Sequence, residues 1–92
     1  MSHLNQPEEK AALLARVRRL KGQIEAIERA VEAERDCGKI LHLLASVRGA
    51  VSGLTAELFE SHLTHHIREI DDPEARRLGA EELSRALRVY LK

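Results

Sequence analysis

An all-α fold is predicted by the composition of the chain and by two long stretches of regularly spaced apolar residues. Helix formers such as Ala, Leu, Glu and Arg dominate the 92 residues, whereas proline occurs twice and aromatic residues make up 2%. In both stretches the apolar positions alternate between steps of four and three residues. This spacing is typical of a helix that packs on other helices along one side. We therefore expect a protomer of three helices.

The first helix is predicted over residues 7–33, after an arm of residues 1–6 that we expect to be flexible. Pro7 suits the first turn of a helix, and Glu8 and Glu9 follow where acidic side chains complement the helix dipole. Its apolar stripe consists of Leu13, Val17, Leu20, Ile24, Ile27 and Val31. These features together define one long amphipathic helix.

The second helix is predicted over residues 36–70, with Asp36 as its N-cap. Its apolar stripe consists of Ile40, Leu44, Val47, Val51, Leu54 and Leu58. Because a short connection joins two stripes of the same period, we expect the first two helices to form an antiparallel hairpin.

The third helix is predicted over residues 73–90. Asp72 can cap it, and Pro73 stands in its first turn. Its apolar positions are Leu78, Leu83, Leu87 and Tyr90. The three helices are expected to form a single domain that covers residues 1–92.

A chain of this size and composition cannot bury a large apolar core alone, so we expect an obligate oligomer. The single cysteine suits a reducing compartment. Neither a signal peptide nor an apolar run long enough to span a bilayer is evident. We expect a soluble cytoplasmic protein without a membrane partner.

Cys37, His62 and His66 are of the residue types that bind transition metals. His62 and His66 are one turn apart and therefore share a helix face. Cys37 precedes His62 by 25 residues, roughly 37 Å along a helix that rises about 1.5 Å per residue. One straight helix cannot bring these groups around one ion, but two antiparallel copies can.

The position of small residues supports the antiparallel arrangement. If Cys37 lies level with His62 or His66 of a second copy, the two-fold axis falls between residues 49 and 52. That segment is rich in small residues, which allow two helices to approach closely: Gly49, Ala50, Ser52 and Gly53. The alternative interpretation is a solvated pair of histidines and a buried structural cysteine.

One thiolate and two imidazoles suit Ni(II), Co(II) or Zn(II) better than Cu(I), Mg²⁺ or Ca²⁺. A further ligand is needed, and His3 and the N-terminal amine are the candidates. We interpret His42 and His65 as surface residues. Nucleophilic catalysis by Cys37 is the other use of this residue pair, but the sequence offers no oxyanion or phosphate loop. We therefore expect neither an enzyme nor a small-molecule substrate.

The charge is unevenly distributed although the net charge is zero. Residues 10–21 carry five basic residues and no acid, whereas residues 57–82 are strongly acidic. This asymmetry permits an anionic partner such as nucleic acid, and solvated helix faces are the alternative. No helix-turn-helix or zinc-finger signature is present. The basic residues expected to contact double-stranded DNA are Arg16, Arg19, Lys21 and Arg48.

Residues 19–27, Cys37, residues 47–54 and residues 60–63 resemble the CsoR/RcnR/FrmR family of bacterial repressors. The resemblance extends from Pro7 to the end of the chain. It implies an antiparallel four-helix-bundle dimer, a disc-shaped tetramer, and metal-free protein bound to operator DNA until an inducer releases it. It also implies sites that bridge protomers, with the cysteine from one chain and the later ligands from the other.

The resemblance also limits which inducers are expected. His66 stands where the copper-sensing branch has a cysteine, and the formaldehyde-sensing branch begins with proline after Met removal. Here Ser2 would be first, so its amine is a possible ligand. The set His3, Cys37, His62 and His66 is similar to the nickel- and cobalt-sensing branch, which implies Ni(II) or Co(II) as inducer, Zn(II) as a possibility, and control of a metal efflux gene.

Arg16 and Arg19 match DNA-contacting basic residues of that branch, whereas Lys21 has no such match. Two alternatives remain. One is a formaldehyde-responsive repressor that uses Cys37 covalently, and the other is a metal-buffering helical bundle without a DNA role.

Overall fold

Three long helices account for most of the computed structural model, which describes residues 6–92. Helix α1 spans Pro7–Glu32, α2 spans Cys37–Leu63 and α3 spans Pro73–Tyr90. No strand occurs within residues 6–92, so the all-α prediction is confirmed. None of the described helices is both long and apolar enough to cross a membrane. Ser2 and His3, on the predicted arm, lie outside the described residues.

The described chain consists of two compact units, residues 6–55 and residues 56–92. The first unit contains α1 and most of α2. The second contains the end of α2, a π-helical turn and α3. A single domain over residues 1–92 stays a prediction.

The turn between α1 and α2 is fixed by backbone hydrogen bonds. The N–H of Glu34 donates to the carbonyl of Val31 (3.0 Å), and that of Arg35 donates to the carbonyl of Ala30 (2.9 Å). This is the Schellman pattern, in which a left-handed residue satisfies the last helical carbonyls. Glu34 adopts that conformation (φ 54°), which costs a non-glycine residue roughly 1–2 kcal/mol. Asp36 then caps α2, because its Oδ2 accepts from the N–H of Lys39 (3.3 Å).

The apolar stripes of α1 and α2 are only partly covered in a single chain. Among residues 6–92, Leu13 and Ala30 are the buried apolar side chains. Ile24 is 52% exposed on α1, and Leu44 is 47% exposed on α2. Within the first unit, Gln23 Nε2 also donates to Ser46 Oγ (3.3 Å) and so links α1 to α2.

The prediction of one α-helix over residues 36–70 is wrong at its C-terminal end. Helix α2 ends at Leu63, and Thr64–Arg68 form a π-helix. Its wider turn is evident from the N–H of Glu69, which donates to the carbonyl of Thr64 five residues earlier (3.0 Å). The π-helix lies where the chain packs closely on α3, as described below.

Helix α3 begins at a strong cap and carries an ion-pair cluster. Asp72 Oδ2 accepts from the N–H of Ala75 (2.9 Å). The Arg77 guanidinium bonds the carboxylates of Glu74 and Glu81. The hydrogen bond from Arg77 holds the pKa of Glu74 below its usual value. At the other end of α3, the ring of Tyr90 meets that of Phe59 edge to face, with centroids 5.7 Å apart.

Candidate metal centre

His62 and His66 lie side by side at the end of α2 and in the π-helix. Their rings are stacked, with centroids 4.6 Å apart and planes inclined by 22°. Both residues are half-buried. The structure therefore brings these two predicted ligands together as neighbouring imidazoles.

A hydrogen bond orients the ring of His62. Its Nε2 lies 3.0 Å from the carbonyl oxygen of Gly79 on α3. Because a carbonyl only accepts, Nε2 carries the proton, and the lone pair of the neutral imidazole is on Nδ1. Histidine ligands of metals commonly have one ring nitrogen bonded to a carbonyl while the other faces the metal. The donor set at His62 therefore fits a metal ligand.

The two other described histidines differ from each other. His42 is exposed on α2, in agreement with its interpretation as a surface residue. The side chain of His65 is only 24% exposed, and its Nδ1 lies 3.6 Å from Glu69 Oε1. His65 is thus less exposed than expected, and it faces a carboxylate on its own segment.

Cys37 is the first residue of α2, and its exposed thiol forms no disulfide. Within residues 6–92 of one chain, no three side chains of His, Cys, Asp or Glu come together as a metal site. One chain therefore supplies a pair of imidazoles at one end of α2 and a thiol at the other. His3 and Ser2, the remaining predicted ligands, are outside the described residues.

The four basic residues predicted to contact DNA are exposed on the first unit: Arg16, Arg19, Lys21 and Arg48. Arg19, Lys21 and Arg48 form no ion pair with any residue between 6 and 92. The guanidinium of Arg16 approaches α2 at Gly53, where an added Cβ would lie 3.4 Å from its Nη1. The cationic groups of Arg19, Lys21 and Arg48 are available for an anionic partner.

Two features were missed by sequence reasoning. A cavity of about 340 Å³ beside the α1–α2 turn is lined in part by three basic residues, Arg29, Arg35 and Lys39. In the sequence, this cluster is indicated only by the closeness of the three residues to that turn. From the sequence alone, Gly79 predicts no more than a weaker third helix. Gly79 is in fact buried against the π-helix. Its position in the middle of a helix, where glycine is unfavourable, is the feature of the sequence that could have indicated such a contact.

Comparison with known proteins identifies the family. The sequence model of the metal-sensitive transcriptional repressor family matches residues 9–89. An uncharacterized protein in the bioA 5′ region of Serratia marcescens is 46% identical over the full length of both chains. The transcriptional repressor RcnR of Citrobacter koseri is 34% identical, again over the full length of both.

A solved structure gives the same result. A glutamate-to-histidine variant of the formaldehyde-responsive regulator FrmR from Salmonella enterica serovar Typhimurium superimposes with a TM-score of 0.87 and 42% identity. The match covers 94% of this chain and 98% of that one. Members of this family bind DNA as oligomers, and they are regulators and not enzymes. The chain therefore belongs to the CsoR/RcnR/FrmR family of metal-sensitive transcriptional repressors.

Proposed function

We propose that this protein is a cytoplasmic repressor that binds operator DNA without metal and leaves it when Ni(II) or Co(II) binds. The regulated gene would encode a metal efflux protein. The observation that carries the proposal is the stacked pair of His62 and His66, whose ring centroids are 4.6 Å apart. The carbonyl of Gly79 orients the ring of His62. Imidazole pairs suit these metals, and Zn(II) is the next candidate.

The complete site is proposed to lie between two chains. Cys37 of one protomer would join His62 and His66 of an antiparallel partner, because residues 6–92 of one chain form no group of three ligands. His3 and the amine of Ser2 would complete the coordination. The exposed stripes of α1 and α2 support this assembly, since a four-helix dimer core would cover them. Two such dimers would form the tetramer.

The DNA surface is proposed to be formed by Arg16, Arg19, Lys21 and Arg48. Their contacts with phosphates would make affinity fall steeply with salt. Bound metal would link the N-terminal arm to the partner chain, and this link would favour an arrangement of α1 that does not fit DNA. Allosteric coupling of this kind typically amounts to about 1–3 kcal/mol, or about 5- to 150-fold in affinity.

The decisive experiment measures fluorescence anisotropy of a labelled operator fragment with reduced metal-free protein, then with Ni(II) or Co(II). We expect tight, salt-dependent binding that weakens by about 5- to 150-fold with metal. Cys37→Ala and His66→Ala should bind DNA normally but lose the metal response, whereas His42→Ala should behave like the parent. A repressor whose DNA affinity is the same with and without metal would contradict the proposal.

Two observations favour a second candidate, a formaldehyde-responsive repressor. The FrmR variant is 42% identical over nearly the whole chain, and the thiol of Cys37 is exposed. Formaldehyde would join the N-terminal amine to this thiol through one carbon, with loss of water. Intact-mass analysis after formaldehyde treatment would detect the bridge, and Cys37→Ser should abolish it. If the metal-free protein shows no salt-dependent DNA binding, a metal-buffering bundle would replace both candidates.

A further inference from the structure

Gly79 makes a main-chain contact that no other residue type could make. It is the buried residue of α3, in the middle of that helix. A Cβ built at this position would overlap the carbonyl oxygen of His66 and lie 3.0 Å from its carbonyl carbon and 3.2 Å from its Cβ. The backbone of α3 therefore touches the backbone of the π-helix directly, at one of the two stacked histidines.

The second histidine contacts the same residue in a different way. The carbonyl of Gly79 accepts the hydrogen bond from His62 Nε2 (3.0 Å). A helical carbonyl has two lone pairs, so it can accept this bond in addition to its bond within the helix. A side chain at position 79 would push α3 away from the π-helix and lengthen the bond to His62.

We propose that Gly79 is the positioning residue of the histidine pair. Because Gly79 has no side chain, the backbone of His66 can pack directly against it. The carbonyl of Gly79 holds the ring of His62 in one tautomer and orientation. The part of this inference that concerns metal affinity rests on the proposed function. The part that concerns the rings does not, because it describes the protein without metal.

Gly22 provides a matched control. A Cβ at Gly22 meets nothing within 4 Å, and Gly22 is exposed on α1. In a helix interior, replacing glycine by alanine normally stabilises. Gly22→Ala should therefore raise the melting temperature or leave it unchanged, whereas Gly79→Ala should lower it because two backbones must separate.

The test uses metal-free protein labelled with ¹⁵N-histidine, at a pH where imidazole is neutral. Long-range ¹H–¹⁵N correlation spectra report the tautomer of each ring. We expect His62 as the pure Nε2–H tautomer in the parent and in Gly22→Ala, and a tautomer mixture in Gly79→Ala. Circular dichroism checks that the variants are folded.

Titration with Co(II) is the second readout. Loss of partners that orient ligands typically weakens metal binding by about 10- to 100-fold, so we expect this loss in Gly79→Ala and none in Gly22→Ala. If Gly79→Ala fails to fold, the parent spectrum decides: a mixed or Nδ1–H tautomer at His62 would overturn the inference. So would a folded Gly79→Ala variant with the parent's tautomer and Co(II) affinity. If the parent binds neither Ni(II) nor Co(II) but the tautomer changes as expected, the proposed function fails and the positioning role stands.

Discussion

The two units of the chain differ in what stabilises their helices. In residues 6–55, two regular helices carry apolar stripes that are only partly covered, with Leu13 and Ala30 as the buried side chains. In residues 56–92, individual polar and main-chain contacts dominate, among them the Asp72 cap and the bond from His62 to Gly79. The first unit presents an apolar surface that many different apolar side chains could cover. The second unit is stabilised by hydrogen bonds and close contacts between particular atoms. The following variants test this difference.

The largest effect is expected where the stripe of the first unit would be covered by a second copy. Val51→Asp places a carboxylate on that stripe, and an unpaired charge in an interface costs about 3–5 kcal/mol. Light scattering during gel filtration should show the mass falling to that of one chain, 10.4 kDa. His42→Asp, on an exposed position outside the stripe, should keep the parent's mass. If Val51→Asp kept the parent's mass, this stripe would not be the surface that a second copy covers.

The next effect concerns the small core of the first unit. Leu13 is 8% exposed and its neighbour Leu14 is 37% exposed. We expect Leu13→Ala to lower the free energy of unfolding by about 2–3 kcal/mol, near the lower end for buried leucines. Leu14→Ala should cost about 1 kcal/mol because less apolar surface is lost. Equal losses in urea denaturation would show that the burial of Leu13 is unimportant.

The two helix caps allow a direct comparison between the units. Asp72 accepts its backbone hydrogen bond at 2.9 Å, whereas Asp36 accepts its bond at 3.3 Å. Asp72→Ala should therefore cost about 1 kcal/mol and Asp36→Ala about 0.5 kcal/mol, within the usual range for N-caps. Thermal unfolding of both variants measures the difference. If Asp36→Ala lost more stability than Asp72→Ala, the cap of the first unit would be the stronger one, contrary to this prediction.

The smallest effect is expected at the exposed ion pairs of α3. The pKa of Glu74 is lowered from 4.5 by the hydrogen bond from Arg77. A carboxyl group with a lowered folded-state pKa adds stability that is present above 4.5 and lost as the pH falls through the lowered value. Arg77→Gln should thus melt slightly below the parent at pH 7 and equally at low pH. Arg76→Gln, a neighbour without this bond, should show no such pH dependence.

Sequence patterns were sufficient for the features that depend on local chemistry. Pro7, Asp36, Asp72 and Pro73 mark the helix ends because caps and fixed proline dihedrals act within one turn. The pairing of His62 with His66 also followed from their spacing. These are short-range effects, and they do not depend on how distant parts of the chain pack.

The remaining features depend on contacts between segments distant in sequence. Nothing in the sequence of residues 64–68 distinguishes a π-helix from an α-helix, and the structure shows that this segment packs on α3. Gly79 is 17 residues from His62, so the bond between them has no sequence period to reveal it.

The π-helix also determines which changes in chain length this segment can accept. A wider turn holds one residue more than an α-helical turn, so deleting one residue from 64–68 would restore a regular helix. Because the extra residue is confined to the wider turn, the residues after it would keep nearly the direction that they have now. A deletion within the regular part of α2 would instead rotate every later residue of the helix by about 100° relative to the residues before it. Residues 64–68 are therefore the part of this helix where the loss of one residue changes the direction of the following chain least.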